Sequence, residues 1–309
     1  MGTPEFAVAS LDALVNSKHE VVGVVTVADK AAGRGKKIRY SAVKEYALKH
    51  SIRIFQPEKL KNEEFIDSLI SLKADIFVVV AFRMLPKSVW SIPKNGTFNI
   101  HASLLPQYRG AAPINHAIIN NENESGLTTF LIDEEIDTGN IILQKKISIS
   151  EDDNAGILHD NLMQLSREIV IETCSIIEQG NINLISQQQL IESELKPAPK
   201  IFKKDCHINS NISINKAHNL VRGLSPYPAA FIELISPEGK IIIAKIFKTS
   251  IDNNAAKSNK IYTDNKTFIA LGFNEGHLFI HDLQLQSKKR MPVTDFLRGF
   301  NISNEWKWQ

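Results

Sequence analysis

Apolar residues along the first two-thirds of the chain recur with two alternating periods. Phe6, Ala9, Leu11, Leu14 and Val15 repeat at helical spacing and predict a helix over 5–16. Val21 to Val27 is a β-branched run of the buried-strand kind. Helical faces follow over 41–50, 63–72, 86–90 and 112–120, separated by strand patterns over 52–55, 75–81, 97–100, 126–132 and 140–150. The clearest strand is Asp75 to Ala81, with three valines in succession. A long amphipathic helix over 154–178 carries Ile157, Leu158, Leu162, Leu165, Ile169 and Ile176 on its apolar side. Strands alternating with helices predict an α/β fold built on a doubly wound, mostly parallel sheet.

The pattern changes at Lys196-Pro-Ala-Pro-Lys200, whose two prolines predict a stiff connector. Beyond it lie one helix (213–224) and short strands over 230–235, 240–247, 267–271 and 277–285. Short strands with Gly and Asn turns predict a small β-barrel or sandwich. The expected division is a first domain over 1–190, a linker over 191–203 and a second domain over 204–309. At the other end, Gly2-Thr3-Pro4 has the character of a tight turn that feeds a helix, yet no strand precedes it. About five or six residues of a first strand are expected upstream, from ordinary strand lengths.

Composition narrows the class. Hydrophobic residues make up 43% and charged residues 23%, the balance of a soluble globular protein. No apolar run approaches the roughly 18–20 residues of a membrane span, and no basic stretch leads into an apolar signal-like region. Cys174 and Cys206 stand far apart with no metal-ligand spacing, which argues against a disulfide framework or a structural zinc and suits a reducing, cytoplasmic setting. A monomer is expected, since no apolar stripe is left over once core positions are assigned. The net charge of +2 hides an asymmetry: residues 196–309 carry 17 Lys+Arg and 9 Asp+Glu, against 19 and 25 in residues 1–195. A basic C-terminal third suits a phosphate-rich partner, and equally a lysine-rich solvated surface.

The densest chemistry lies between Asn99 and Gly139. Asn99 and His101 end a predicted strand and point to one side of it, with Ile100 turned away. Ligands of open parallel sheets bind beyond the carboxyl ends of strands. An amide and an imidazole there can polarise a carbonyl and handle a proton. The acidic turn Asp133-Glu134-Glu135-Ile136-Asp137 follows, and a carboxylate that returns to an imidazole orients and charge-stabilises it. The same residues also suit a hydrogen-bonded strand-end histidine and a solvated turn. The loop Gly33-Arg34-Gly35-Lys36-Lys37 joins phosphate-seeking side chains to glycines that allow close approach, although short basic loops are commonly just solvated.

The stretch Phe98 to Ile114 (FNIHASLLPQYRGAAPI), together with Ile136 to Ile142 (IDTGNII), closely resembles the methionyl-tRNA formyltransferases. The resemblance extends in order through Gly2 to Ala7, Asp29 to Lys37, Arg222 to Pro228 and Lys288 to Met291. It implies a Rossmann-like formyltransferase domain followed by an OB-like barrel that binds tRNA. It also implies a soluble enzyme that moves a formyl group from 10-formyltetrahydrofolate to the amino group of initiator methionyl-tRNA, without a metal. The family's catalytic Asn, His and Asp correspond to Asn99, His101 and Asp137. The folate would lie along Phe82, Arg83, Met84 and Leu85, then Ser103, Leu104, Leu105 and Pro106, and the turn Ile132, Asp133 and Glu134. The loop Ala81 to Pro86 is one residue shorter than in relatives and carries Arg83, which suits an anionic glutamate tail. Arg34, Lys36 and Lys37 would read the acceptor end of the tRNA, with Lys203, Lys204, Arg222, Lys288, Lys289 and Arg290 as candidates for its phosphates. A formyltransferase for a sugar amine or a glycinamide nucleotide would share the three catalytic residues but not need the basic loop or basic barrel. An inactive tRNA binder is the rival of another class.

Overall fold

A computed structural model describes residues 1–32, 37–180, 182–191, 193–254, 256–303 and 305–309, with the side chains of 30–38 outside the description. Two compact units emerge. The first comprises 1–113, 124–148 and 159–198, and the second 114–123, 149–158 and 199–309. Segments 114–123 and 149–158 thus belong with the C-terminal unit, although the sequence pattern alone assigns both to the first.

The elements follow the predicted alternation: α1 (Glu5–Val15), β1 (Val24–Val25), β2 (Lys30–Ala32), β3 (Lys37–Arg39), α2 (Ala42–Lys49), β4 (Ile54–Phe55), α3 (Glu63–Ser71), β5 (Phe77–Val80), α4 (Lys87–Trp90), β6 (Thr97–His101), α5 (Pro113–Ile119), β7 (Glu124–Leu131), β8 (Ile141–Ser148) and α6 (Ala155–Gln179). Ser41 and Asn62 accept the Lys44 and Phe65 amides at the starts of α2 and α3, which satisfies helix-end donors. β5 and β6 pair in parallel, as do β1 and β4, while β7 and β8 add antiparallel neighbours to β6. The Gly2 amide donates to Val25 and the Val80 amide to Met1, so residues 1–2 hold one ladder position between β1 and β5. The strand order is therefore β4, β1, residues 1–2, β5, β6, β7, β8. This is the expected α/β architecture around a parallel-rich sheet. Behind residues 1–2, a slot of about 720 Å³ runs between Val21–Val25 and Asp75–Val78, and none of Asn99, His101 and Asp137 lines it.

Core packing explains why β6 is rigid. Phe98 and Ile100 are buried, as are Leu162, Ile169 and Val170 of α6. A second cluster joins Val25, Phe65, Leu69, Phe77, Val79, Leu85 and Val89. Both cysteines are buried and free. Burial, reinforced by the Glu178 carboxylate, pushes the Cys174 thiol up to about 11.

The second unit carries α7 (Ile214–Leu224), β9 (Ala230–Ile235), β10 (Ile241–Asp252), β11 (Ile261–Thr263), β12 (Ile269–Phe273), β13 (Gly276–Leu285), β14 (Met291–Pro292), α8 (Val293–Leu297) and β15 (Lys307–Trp308). Antiparallel pairing runs β11, β12, β13, β10, β9, β15, with β14 on β13. A bridge between Lys260 and Lys307 brings the two ends of that order together, giving the predicted barrel. Its strands share one apolar cluster with α7 that includes Ile208, Val221, Ile232, Ile246, Leu271 and Phe273. Trp308 is 1% exposed, its ring 4.9 Å from that of Phe273, so the terminal tryptophan is a core residue.

Candidate active site

Strand pleating delivers the first two groups. Asn99 and His101 lie two apart on β6, opposite Phe130 and Thr128 of β7. His101 is 6% exposed, and its Nε2 lies 2.9 Å from the Tyr108 carbonyl oxygen. A carbonyl only accepts, so Nε2 carries a hydrogen and donates it. His101 Nδ1 faces Asp137 Oδ2 at 3.8 Å, an ion-pair separation too long for a hydrogen bond. That nitrogen therefore remains available to a substrate group beside the carboxylate. Among the described residues no hydrogen bond reaches the Asn99 carboxamide, which leaves a second uncommitted donor on the same side of the strand.

The segment after β6 is pinned from several directions. The Leu105 amide donates to Thr128 Oγ1, Thr128 Oγ1 to the Ser103 carbonyl, and Gln144 Nε2 to the Leu105 carbonyl. The first residues of the proline-containing connector, Lys196 to Ala198, lie along this segment. Tyr108 N donates to Lys196 O, Ala198 N to Arg109 O, and Ala112 N to Ala198 O. Gly110, at φ +125°, comes so close to Ala198 that a Cβ would meet its carbonyl oxygen.

Asp137 reaches His101 from the turn after β7 with φ +56°, a left-handed conformation that Asp tolerates better than most residues. Its Oδ2 accepts the Gly110 amide at 3.0 Å. Two residues absent from the sequence reading complete the arrangement. Gln187, 2% exposed, donates through Nε2 to the Asp137 and Gly139 carbonyls, both at 2.9 Å. Arg109 donates through Nε and Nη2 to Gln187 Oε1 at 3.0 and 2.6 Å.

The residues expected along the folate divide into groups. Phe82, Leu85 and Ile132 share one apolar cluster, and Lys87 joins Glu134 at 2.7 Å, tying the segment after β5 to the acidic turn. Met84 and Ile136 stand 66% and 63% exposed, apolar surface of the kind a flat ring system covers. Arg83 donates to the Glu58 and Pro57 carbonyls, so its guanidinium already serves a neighbouring loop. Ser103 donates to the Gln107 carbonyl, and Leu105 is buried with Phe130 and Ile141, which makes both supports of the loop. Leu104 is half-buried and Pro106 buried. Asp133 closes the acidic turn by accepting from Glu135 N and Thr138 Oγ1.

Of the expected phosphate contacts, Lys203, Lys204, Lys288 and Lys289 are exposed on the barrel unit. Arg290 is exposed too, but its guanidinium is paired with Asp282 and lies over the Phe247 ring at 4.4 Å. Arg34 and Lys36 lie outside the described residues, as does the Lys37 side chain. Arg222 corrects the sequence reading. It is 9% exposed and donates to the Asp153 and Ser150 carbonyls and to Asn121 and Asn219. Burial lowers its pKa, and its donors are spent inside the unit rather than held out to solvent. Arg222→Met is expected to destabilise the C-terminal unit by about 2–4 kcal/mol through four orphaned acceptors. Urea melts would report the loss. Among the described residues no cluster of His, Cys, Asp and Glu is arranged to hold a metal, and no helix is long and apolar enough to cross a membrane.

Comparison with known proteins supplies a context for this geometry. Residues 1–174 match the family described as "Formyl transferase" and residues 200–301 match "Formyl transferase, C-terminal domain". A protein of Bacteroides fragilis named methionyl-tRNA formyltransferase is 50% identical over 310 residues, covering 99% of this chain and 96% of its own. One of the same name from Flavobacterium johnsoniae is 48% identical, covering 99% and 97%. Among solved structures, WlaRD, a sugar 3N-formyl transferase crystallised in the presence of dTDP and 5-N-formyl-THF, is similar at TM-score 0.62 and 27% identity, covering 93% of this chain and 97% of its own.

Proposed function

Because the chain belongs to the formyl transferase family, we propose that it transfers the formyl group of 10-formyltetrahydrofolate to the α-amino group of initiator methionyl-tRNA. The observation that carries the chemistry is the approach of Asp137 to His101 Nδ1 beside an uncommitted Asn99. Near-full-length identity to relatives named for the methionyl-tRNA substrate supports the acceptor.

The reaction joins the neutral amine nitrogen to the formyl carbon and breaks the bond from that carbon to N10. Negative charge builds on the formyl oxygen as the new bond forms; the Asn99 amide donates to it, as does His101 Nδ1 when the ring carries its second proton. A donor of this sort contributes about 10²–10³ in rate. The Asp137 carboxylate beside the imidazole takes up the amine proton, and that proton leaves with N10 as the C–N bond breaks. The cluster of Phe82, Leu85 and Ile132, with the exposed Met84, fits the pterin. In this reading the folate also runs along Leu104 and the backbone of 103–106 and meets Asp133 and Glu134. The enzyme works as a cytoplasmic monomer.

Lys203, Lys204, Lys288 and Lys289, with Arg34, Lys36 and Lys37 of the basic loop, contact the tRNA. The test is tRNA binding against salt. Each neutralised lysine that touches a phosphate should lower the slope of log K against log salt by about 0.7–0.9. A Lys288→Gln, Lys289→Gln pair with an unchanged slope would remove these two residues from the interface. A sugar amine is the second reading, favoured by the likeness to WlaRD. The basic barrel opposes it.

A further inference from the structure

We propose that Gln187 is a positioning residue that holds Asp137 at His101, and that Arg109 sets Gln187. The inference rests on the formyl-transfer reading for its activity arm, while its structural arm stands without it.

Asp137 has to meet two demands at once. Its backbone is left-handed, and its carboxylate must stand beside Nδ1 of a histidine fixed on a rigid strand. The turn containing it, 132–139, is anchored at Ile132 and by the exposed Lys87–Glu134 pair, while residues 133–136 stand exposed. Local bonds tie Asp133 to Glu135 N and to Thr138 Oγ1, across Asp137, but neither holds an atom of Asp137 itself. Gln187 supplies what is missing. One side-chain nitrogen has two hydrogens, and its two acceptors are the carbonyls of Asp137 and Gly139, which bracket Thr138 directly after the left-handed residue. Both donors are spent on the backbone of one turn, so rotation about the Asp137 bend breaks one bond or the other. Gly139 leaves no slack on the opposite side, because a Cβ there would run into the Leu131 carbonyl.

The orientation of the Gln187 amide is decided by its other end. Oε1 receives both the Nε and Nη2 hydrogens of Arg109, a fork that donates to an oxygen but cannot face an NH₂ group. Arg109 thereby selects the flip that aims Nε2 at the turn. It also ties the acidic turn to the segment that follows His101. Tyr108 accepts from His101, Arg109 holds Gln187, and Gly110 donates to Asp137. Three consecutive residues thus register both catalytic groups against one backbone. Position 187 touches neither His101 nor, through its side chain, the Asp137 carboxylate, so its influence passes through Asp137 placement alone.

Gln187→Met keeps length and removes the donors and the acceptor. Displacement of a catalytic group by about 1 Å costs on the order of 10²-fold in rate. The variant is expected to lose about 10–100-fold in kcat with KM for both substrates within about twofold. Amide exchange across 132–140 should quicken while exchange in β5 and β6 stays as in the parent. Arg109→Lys, which keeps a donor but not the fork, should fall between the parent and Gln187→Met, and provides the same readings should Gln187→Met fold poorly. The double variant should be no slower than Gln187→Met alone, since Arg109 acts through Gln187. Unchanged exchange over 132–140, or kcat within twofold of the parent in a folded variant, overturns the proposal. Failure of the parent to transfer formyl groups would refute the functional reading instead, and the exchange experiment would still decide the role of Gln187.

Discussion

His101→Ala is expected to lower kcat for formyl transfer by about 10²–10⁴, with little change in KM for either substrate. The imidazole is not a surface group that solvent replaces. It is buried, its Nε2 is committed to Tyr108, and only Nδ1 faces the carboxylate of Asp137. Its loss removes a donor aimed where charge develops and takes the imidazole away from the Asp137 carboxylate. The substitution also leaves the Tyr108 carbonyl without the ring donor, so a stability loss of about 1–3 kcal/mol should accompany it. Steady-state kinetics on protein shown to be folded by its thermal transition separate the two effects. A large rise in KM with kcat unchanged would make His101 a binding residue and sink the proposed role.

Asp137→Asn is expected to cost about 10²–10³ in kcat while leaving the thermal transition near that of the parent. Asparagine also tolerates the left-handed backbone that position 137 adopts. Its side-chain oxygen can still accept the Gly110 amide. The exchange therefore removes charge and proton affinity while keeping shape. Asp137→Ala mixes in backbone strain and is the poorer probe. Full activity in Asp137→Asn would show that the carboxylate carries no proton, and would leave Asn99 and His101 as the working pair.

Much of this was readable from the chain itself, for identifiable reasons. The run of valines in β5 and the alternation that turns Asn99 and His101 to one side depend only on local spacing, and both appear in the structure as expected. The barrel was legible from short strands punctuated by turns. Other features depend on partners distant in sequence. The seven-residue strand expected over 21–27 shrinks to Val24–Val25, because ladder partners exist only where β4 and residues 1–2 lie alongside. β15 is two residues long and exists through its pairing with β9 and the bridge from Lys307 to Lys260. The hairpin of β2 and β3, the short α8 and the strands β11 and β14 likewise carry too few residues for a period to register.

The site divides in the same way. His101 and Asn99 announce themselves on one strand, whereas Asp137 needed the family resemblance to be singled out from an acidic turn. Gln187 has no local signal at all. It is the first of three consecutive glutamines, and its partners are backbone carbonyls some fifty residues earlier. Arg222 misled for the opposite reason. A basic residue in a basic third of the chain reads as a phosphate contact, and only the fold reveals that residues 150–153 and Asn121 surround it.

The most direct measurement is formyl transfer from 10-formyltetrahydrofolate to charged initiator methionyl-tRNA, run beside uncharged tRNA, free methionine, a nucleotide-linked amino sugar and the His101→Ala variant. Product on the charged tRNA alone, lost in the variant, is the predicted result. Transfer to the amino sugar in preference would contradict the acceptor, and absence of transfer with salt-sensitive tRNA binding intact would make the chain a binder rather than an enzyme.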